Sequence, residues 1–385
     1  MKTKIVLGVA LLAASVISQQ SEIAKWDPAM AASKAVVDTN GVKWVDGRYL
    51  PIEGRWELGN TDDNYYARLP NTLTQAVNGG VRGMRTHTSG MQFRFKTDSH
   101  FLILRIKNGG GSMNHMTAVG TSGWDVYRLD ERTRMARFVA SSHGEQRDQA
   151  KPGFRVKRIG WERNAACIVN LPLYSGVEAF EIGIAKESKI EALSPRRSGI
   201  LKPVVFYGTS ITHGGCCTRP GLGFVNIVGR DLDVPVFGLG FSGSGVMEYE
   251  LSDVISRIDA SCYVLDCLWN MSSAKDGGGR PGRNVETNYE PFIRNLRAKR
   301  PDVPIIMAEQ CDVFMRGPNN KDKYMKALYE KLVAEGWTNL FYLSKDKMYT
   351  GDVDGTVDGC HPNDLGMRSM ANAFGAAVKT ALNLK

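Results

Sequence analysis

Apolar and polar residues alternate in short runs through the first half of the chain. Residues 91–96 and 101–107 have the period-two pattern of β-strands, with a short polar turn between them. Further strands are predicted at residues 124–129, 137–140, 166–171 and 179–184. Several short strands between glycine, proline and asparagine loops are typical of an antiparallel β-sandwich. We predict a sandwich of the jelly-roll kind over residues 26–193.

The pattern changes after a segment rich in structure-breaking residues at 194–199. Buried strands are then predicted up to residue 206 and at residues 234–239, 262–268, 303–307 and 340–343. Helical periodicity falls between them, at residues 224–232, 247–258, 288–299 and 321–335 and from residue 363 onward. This alternation predicts a five-stranded parallel sheet with helices on both faces, a flavodoxin-like three-layer α/β/α domain over residues 200–385.

The first residues have the pattern of an export signal. Lys2 and Lys4 precede an apolar run over residues 5–17, which small and polar residues follow. We therefore expect a bacterial-type signal peptide at residues 1–20 and a periplasmic or extracellular protein. The apolar run is too short to span a bilayer comfortably, and no later segment predicts a transmembrane helix.

Charge and cysteine content narrow the function classes further. The formal net charge is +9, but lysine and arginine are spread along the chain, which gives little support to nucleic-acid binding. The 7 cysteines have no C-x-x-C spacing, so we predict no metal site. The oligomeric state is left open.

A glycine-flanked turn after the first strand of the second half is the main candidate for a catalytic position. Apolar residues 204–207 lead into this turn, and Ser210 lies at its apex. In open α/β sheets, ligands bind at the carboxyl ends of the strands. A nucleophilic serine needs a base and usually an acid that orients the base. Asp358 and His361, which precede the last helix, can supply both.

The next two strands end in groups that can stabilise an oxyanion. Gly243 lies in a glycine-rich turn with free backbone N–H groups, and Asn270 carries a side-chain amide. Taken singly, the glycines also fit a tight turn and Asn270 also fits a helix cap. A parallel sheet would bring both to the edge that carries Ser210.

Four motifs resemble the blocks that name the SGNH hydrolases, also called GDSL-type esterases: Ser210 in Gly-Thr-Ser-Ile-Thr-His-Gly, Gly243 in Gly-Phe-Ser-Gly-Ser-Gly, Asn270 in Leu-Trp-Asn-Met and His361 in Asp-Gly-Cys-His-Pro-Asn. In addition, residues 67–70, 93–99 and 123–127 resemble the β-sandwich of a two-domain branch of this family. The resemblance covers most of the chain after the signal.

The resemblance implies a role for each of these residues. Ser210 is then the nucleophile, His361 the general base, and Asp358 the residue that orients the base. The backbone N–H groups of Ser210 and Gly243 and the Asn270 side chain form the oxyanion hole. The implied mechanism needs no cofactor and no metal.

The sequence departs from the family pattern at Thr209, where the family has aspartate, and around Asn270, which lacks the flanking glycine and aspartate. Neither change removes a group that performs the chemistry. His213 and Arg219 are weaker candidates for shaping the acyl pocket or contacting an acidic substrate. For Arg219, a solvent-exposed side chain with no contact to substrate is about as good an interpretation.

Cys216 and Cys360 lie six residues after Ser210 and directly before His361. We therefore consider a disulfide between them that would hold the two catalytic loops together. Two small buried residues are an equally good interpretation.

The expected function is a secreted serine esterase that removes O-acetyl groups from carbohydrate. The alternatives are a lipid or thioester acylhydrolase with the same mechanism and a non-catalytic glycan-binding protein. Gly238, Gly240 and Gly243 also spell the dinucleotide-binding pattern G-x-G-x-x-G, with Asp266 at the end of the next strand. That interpretation leaves Ser210, Asn270 and His361 unexplained.

Overall fold

The computed structural model describes residues 35–56, 64–143, 147–277, 279–312, 314, 316–348 and 353–385. The predicted signal peptide lies outside these residues. Within them, no helix combines the length and the apolar character that crossing a bilayer would require.

Two antiparallel sheets form the first half of the chain. One has the strand order β1-β2-β10-β5-β8, from β1 (Val36–Val37), β2 (Val42–Asp46), β5 (Phe101–Asn108), β8 (Arg155–Gly160) and β10 (Val177–Ala185). The other has the order β11-β4-β9-β6-β7, with β3 paired to β4, from β3 (Ile52–Glu53), β4 (Gln92–Thr97), β6 (Trp124–Leu129), β7 (Ala136–Ser142), β9 (Ala165–Asn170) and β11 (Ile190–Glu191). Phe93 and Phe180 stack between the sheets with ring centroids 4.5 Å apart. The predicted β-sandwich is confirmed.

A parallel sheet forms the second half, and it confirms the predicted three-layer fold. Its order is β13-β12-β14-β15-β16, from β12 (Val204–Gly208), β13 (Val236–Gly240), β14 (Cys262–Asp266), β15 (Ile305–Ala308) and β16 (Leu340–Leu343). Every residue of β12, β13 and β14 is buried. Burial on both faces explains why these strands are continuous apolar runs without alternation.

The helices of the described chain are α1 (Gly79–Met84), α2 (Ala118–Ser122), α3 (Ser210–His213), α4 (Phe224–Asp231), α5 (Tyr249–Ile255), α6 (Val285–Lys299), α7 (Asn320–Ala334) and α8 (Asp364–Ala381). Helices α5, α6 and α7 bury their apolar sides on one face of the parallel sheet. Helices α4 and α8 cover the other face. The parallel sheet thus lies between these two helix layers, and its carboxyl edge lies between them as well.

Part of the first half packs into the core of the second. Trp56, Leu69, Val77 and Val81 belong to the same buried apolar cluster as Tyr207 of β12. The domain boundary near residues 194–199 remains a prediction, since the chain before it contributes to both cores.

The segment at this boundary is held in place by ion pairs. Arg196 contacts the Glu53 carboxylate of the sandwich at 2.6 Å and the Asp233 carboxylate of the α/β half at 3.1 Å. The Ser198 hydroxyl donates to the backbone oxygen of Asp233 at 2.6 Å. The breaker residues therefore form a fixed crossing rather than a free linker.

Candidate active site

Ser210 begins the one-turn helix α3 directly after β12. The Thr209 hydroxyl caps this helix by accepting from the Ile211 N–H at 3.2 Å. Gly214 ends the helix with a left-handed φ of 104°. A Cβ atom on Gly208 would lie 2.0 Å from the Thr212 hydroxyl, so only glycine lets the strand turn this tightly into the helix. This turn presents the Ser210 side chain at the carboxyl edge of the sheet.

The His361 imidazole links Ser210 to Asp358. Its Nε2 lies 2.8 Å from the Ser210 Oγ, and its Nδ1 lies 2.7 Å from an Asp358 carboxylate oxygen. Because a carboxylate only accepts, the proton of neutral His361 lies on Nδ1, and Nε2 is free to accept the hydroxyl proton. The arrangement is that of a nucleophile, a base and an orienting acid.

The Asp358 carboxylate is held as an anion by its own loop. Its other oxygen accepts from the backbone N–H groups of Cys360 at 2.9 Å and His361 at 2.7 Å. Partial burial acts to raise its pKa, but these bonds and the bond from the His361 ring outweigh it and lower the pKa to about 2. The loop thus supplies a fixed negative charge beside the imidazole.

Groups that can donate to an oxyanion surround the same edge. Asn270 follows β14. When its amide is assigned so that the oxygen accepts from the Ser244 and Gly245 N–H groups, both at 3.1 Å, its NH₂ lies on the other side. Gly243 has a left-handed φ of 68° in the turn after β13. Within the described chain, neither the Ser210 nor the Gly243 backbone N–H donates to a protein acceptor.

The matches to known families divide the chain in the same way as the two folds. The family GDSL-like Lipase/Acylhydrolase matches residues 201–379, and the N-terminus of Esterase_SGNH_hydro-type matches residues 42–190. The chain belongs to the SGNH hydrolases.

Solved structures share this two-part fold. A Bacteroides ovatus protein classed as a GDSL-like lipase is 24% identical with a TM-score of 0.76, over 89% of this chain and 99% of that one. A salicylyl-acyltransferase from a tetracycline biosynthetic pathway is 18% identical with a TM-score of 0.69, over 90% and 100%. A family two carbohydrate esterase from Cellvibrio japonicus is 12% identical with a TM-score of 0.53, over 89% and 98%. No protein with a curated function matches the chain.

His213 does not have the substrate contact that we predicted for it in this SGNH hydrolase. Its side chain is completely buried, it stacks on Tyr174 at 4.1 Å between ring centroids, and its Nε2 lies 2.8 Å from the Leu173 oxygen. Burial holds the pKa of His213 well below its usual range, and Arg68 and His87 lower it further. The residue follows the nucleophile closely in sequence but faces the interior.

Arg219 also has a different role from the predicted one. Its guanidinium lies 2.9 Å from the buried Asp125 carboxylate and contacts the Tyr127 hydroxyl, both on strand β6 of the sandwich. It also lies over the Phe138 ring at 4.0 Å. Arg219 therefore joins the two halves of the SGNH hydrolase instead of facing substrate.

The dinucleotide pattern is explained by packing. A Cβ atom on Gly240 would lie 2.1 Å from the His213 backbone nitrogen, and one on Gly238 would lie 3.0 Å from the Ser89 oxygen. Asp266 is buried and accepts from the Thr212 hydroxyl at 2.8 Å. Asp266 is thus not available to bind a ribose, and the dinucleotide-binding interpretation loses its two supports.

The disulfide considered for Cys216 and Cys360 is not formed, because the structure has both as free thiols. Their loops do meet, since the Cys216 N–H donates to the Pro362 oxygen at 2.9 Å. Backbone hydrogen bonding thus supplies the link between the loops that we assigned to the disulfide.

Two residues near the site were not found by the sequence analysis. His115 comes from the loop between β5 and α2 and places its ring 5.3 Å from the His361 ring, between centroids. The Tyr174 hydroxyl donates to the Ser210 backbone oxygen at 3.0 Å. Both lie outside the α/β half, and no motif marks either one.

Proposed function

We propose that this SGNH hydrolase is a serine esterase that cleaves carboxylic esters through an acyl-serine intermediate. The observation that carries the proposal is the continuous hydrogen-bonded series from Asp358 through His361 to the Ser210 hydroxyl, with 2.7 Å and 2.8 Å between the bonded atoms. This series has the roles and the geometry that activate a serine.

In the proposed mechanism the Ser210 oxygen attacks the ester carbonyl carbon while His361 Nε2 takes the hydroxyl proton. Asp358 stabilises the resulting imidazolium. The tetrahedral oxyanion is held by the Ser210 and Gly243 N–H groups and the Asn270 amide. When it collapses, the alcohol leaves with the proton from His361. Water then releases the acid by the same steps, with His361 again as the base.

We favour O-acetyl groups on carbohydrate as the substrate. Family two carbohydrate esterases share the fold over most of the chain, which supports a glycan ester. Trp56, Trp124 and Trp161 are buried, so these three side chains do not form an exposed surface on which a sugar could stack. Sugar binding would therefore depend on the loops around Ser210, such as the one that carries His115.

A hydrolysis panel tests the function and the substrate together. It compares acetylated polysaccharides with short-chain and long-chain p-nitrophenyl esters, using wild type and Ser210→Ala. We expect acetyl release that Ser210→Ala lowers by at least about 10³-fold. Ser256→Ala is the matched control, since within the described residues that hydroxyl bonds to the Asp253 oxygen of its own helix turn.

The lipid and the non-catalytic alternatives each have their own outcome in this panel. Preference for long acyl chains would support a lipid acylhydrolase. Glycan binding with equal hydrolysis rates in wild type and Ser210→Ala would support a non-catalytic protein. Release of acetate only from polysaccharide would support the glycan assignment.

Export is part of the same proposal. The charged start and apolar run of residues 1–20 support removal of a signal peptide. Mass spectrometry of protein recovered from periplasm or medium is expected to give a mature chain that begins after about residue 20. A chain that retains Met1 in the cytoplasm would contradict the proposal.

A further inference from the structure

A loop of the β-sandwich lies against the catalytic loops of the α/β half. It connects β5 to α2 and carries His115, which is partly exposed. Cys216, which is 4% exposed, approaches from the loop after α3. One ring nitrogen each of His115 and His361 and the Cys216 sulfur all lie within 4.8 Å of one another.

Two imidazoles and a thiol form a ligand set that zinc prefers. Zinc in proteins takes nitrogen and sulfur ligands in a tetrahedron, with neighbouring ligand atoms about 3.3–3.6 Å apart. Side-chain movements of about 1 Å would bring the three groups to that spacing. Three protein ligands leave a fourth position open, as in zinc sites that are accessible from solvent.

We propose that His115, Cys216 and His361 bind one zinc ion, and that this zinc reversibly inhibits the enzyme. The inhibitory part rests on the proposed esterase function, whereas the binding part does not. On binding, the Cys216 thiol releases its proton to solvent and each imidazole donates a nitrogen lone pair to the metal.

Inhibition follows from the nitrogen that His361 would use. Its Nδ1 is bonded to Asp358 at 2.7 Å, so Nε2 carries the free lone pair. The same lone pair accepts the Ser210 proton across 2.8 Å, and a metal and a proton cannot share it. Asp358 would become the outer partner of a metal-bound histidine, an arrangement that strengthens the ligand.

A second group of possible ligands includes Asp358, Cys360 and His361. In this group both Asp358 oxygens already accept hydrogen bonds, one from two backbone N–H groups of its own loop and the other from the His361 ring. The proposal therefore uses Cys216, not Cys360, as the sulfur ligand. The proposal thus assigns different roles to Cys216 and Cys360, although the two cysteines lie on neighbouring loops.

Metal binding is tested on full-length mature protein stripped with a chelator. Zinc affinity is measured by calorimetry, and Co²⁺ is added as a spectroscopic probe of thiolate ligation. Wild type is expected to bind one equivalent and to show thiolate-to-cobalt charge transfer. His115→Ala and Cys216→Ser are expected to bind at least about tenfold more weakly, and Cys216→Ser is expected to lose the charge-transfer band.

Matched variants separate the site from general metal uptake. Cys360→Ser keeps the sulfur ligand that we assign, and His100→Ala removes an exposed histidine elsewhere on the sandwich, so both are expected to bind zinc like wild type. Unchanged affinity in both His115→Ala and Cys216→Ser would overturn the site. Loss of the cobalt band in Cys360→Ser but not in Cys216→Ser would overturn the ligand assignment.

Inhibition is tested with p-nitrophenyl acetate, with the rate of each variant compared to its own metal-free rate. Zinc is expected to slow wild type and a chelator to restore it, while His115→Ala requires at least about tenfold more zinc. A wild-type rate unaffected by saturating zinc would overturn the inhibitory role. If no ester is hydrolysed at all, the esterase proposal fails, and zinc binding to Ser210→Ala and wild type still decides the metal site.

Discussion

The Asp125 carboxylate, fully buried in the β-sandwich, lies 2.9 Å from the Arg219 guanidinium in the α/β half. The same carboxylate accepts from the Gly221 N–H at 2.8 Å and from the Asn170 amide at 2.7 Å. One acidic side chain thus fixes the loop that follows the Ser210 helix to strand β6.

Asp125→Asn is expected to destabilise the protein by about 3 kcal/mol, because it leaves a mostly buried guanidinium without its counter-charge. Denaturant unfolding measures the change. Asp231→Asn is the matched control, since its pair with Arg368 is about half exposed and is worth less than about 1 kcal/mol. Equal losses in the two variants would contradict the role of burial.

Asp358→Asn is expected to lower kcat by about 10³–10⁴-fold, because the amide cannot stabilise the imidazolium and can favour the wrong tautomer of His361. The melting temperature of Asp358→Asn should change little compared with this loss of kcat. Asp259→Asn, at an exposed position, serves as the control for loss of one negative charge. A kcat within tenfold of wild type would remove Asp358 from the proposed mechanism.

Asn270→Ala is expected to lower kcat by about 10²–10³-fold while KM changes little, because an oxyanion forms only in the transition state. Steady-state kinetics on p-nitrophenyl acetate separate the two constants. A raised KM with unchanged kcat would instead place Asn270 in ground-state substrate binding.

Alanine at Gly240 and at Gly243 should have different effects. At Gly240 a Cβ atom would lie 2.1 Å from the His213 backbone, so we expect misfolding. At Gly243 no atom lies within 4 Å of a Cβ, and only the left-handed φ of 68° opposes alanine, at about 1–2 kcal/mol. Circular dichroism melts distinguish the two. Similar melting temperatures would mean that the Gly240 strand can shift.

Asp266 is expected to make stability depend on pH. Burial raises its pKa to about 7, although the Thr212 hydroxyl acts to lower it. The folded chain therefore keeps a proton between pH 4 and 7 that the unfolded chain releases, and stability falls as the pH rises through this range. Above pH 7, the free energy of unfolding of Asp266→Asn is expected to exceed that of wild type by up to about 4 kcal/mol.

Below about pH 4 the Asp266→Asn difference should vanish, because the carboxyl is then protonated in both states of the wild-type chain. Urea unfolding of both chains at pH 4 and at pH 8 measures the difference in their free energy of unfolding at the two limits of this range. A constant difference between the two chains at all pH values would show that the carboxyl does not titrate in the folded protein.

The meeting of Ser210 and His361 was predictable although 151 residues separate them. Alternation of strands and helices implies a parallel sheet, and a parallel sheet brings all strand ends to one edge. The fold class followed from the same patterns. Strand β8 was missed, because its residues are partly or fully exposed and show no apolar alternation.

Contacts between the two halves were not predictable from local patterns. From its sequence, Arg219 fitted either a substrate contact or a solvated arginine, and only the docked sandwich brings Asp125 to it. His213 was misjudged because sequence distance from Ser210 does not give the direction of a side chain around a one-turn helix. His115 was missed, since no periodicity marks the loop in which it lies.

Packing of Trp56, Leu69, Val77 and Val81 against Tyr207 limits how this protein can be divided. A fragment that starts after residue 199 would retain the four family blocks but would expose the apolar surface that these side chains cover. Recombination that exchanges the whole sandwich for an unrelated binding module would remove the same cover. Engineering of the enzyme should therefore treat the complete two-part chain as its smallest unit.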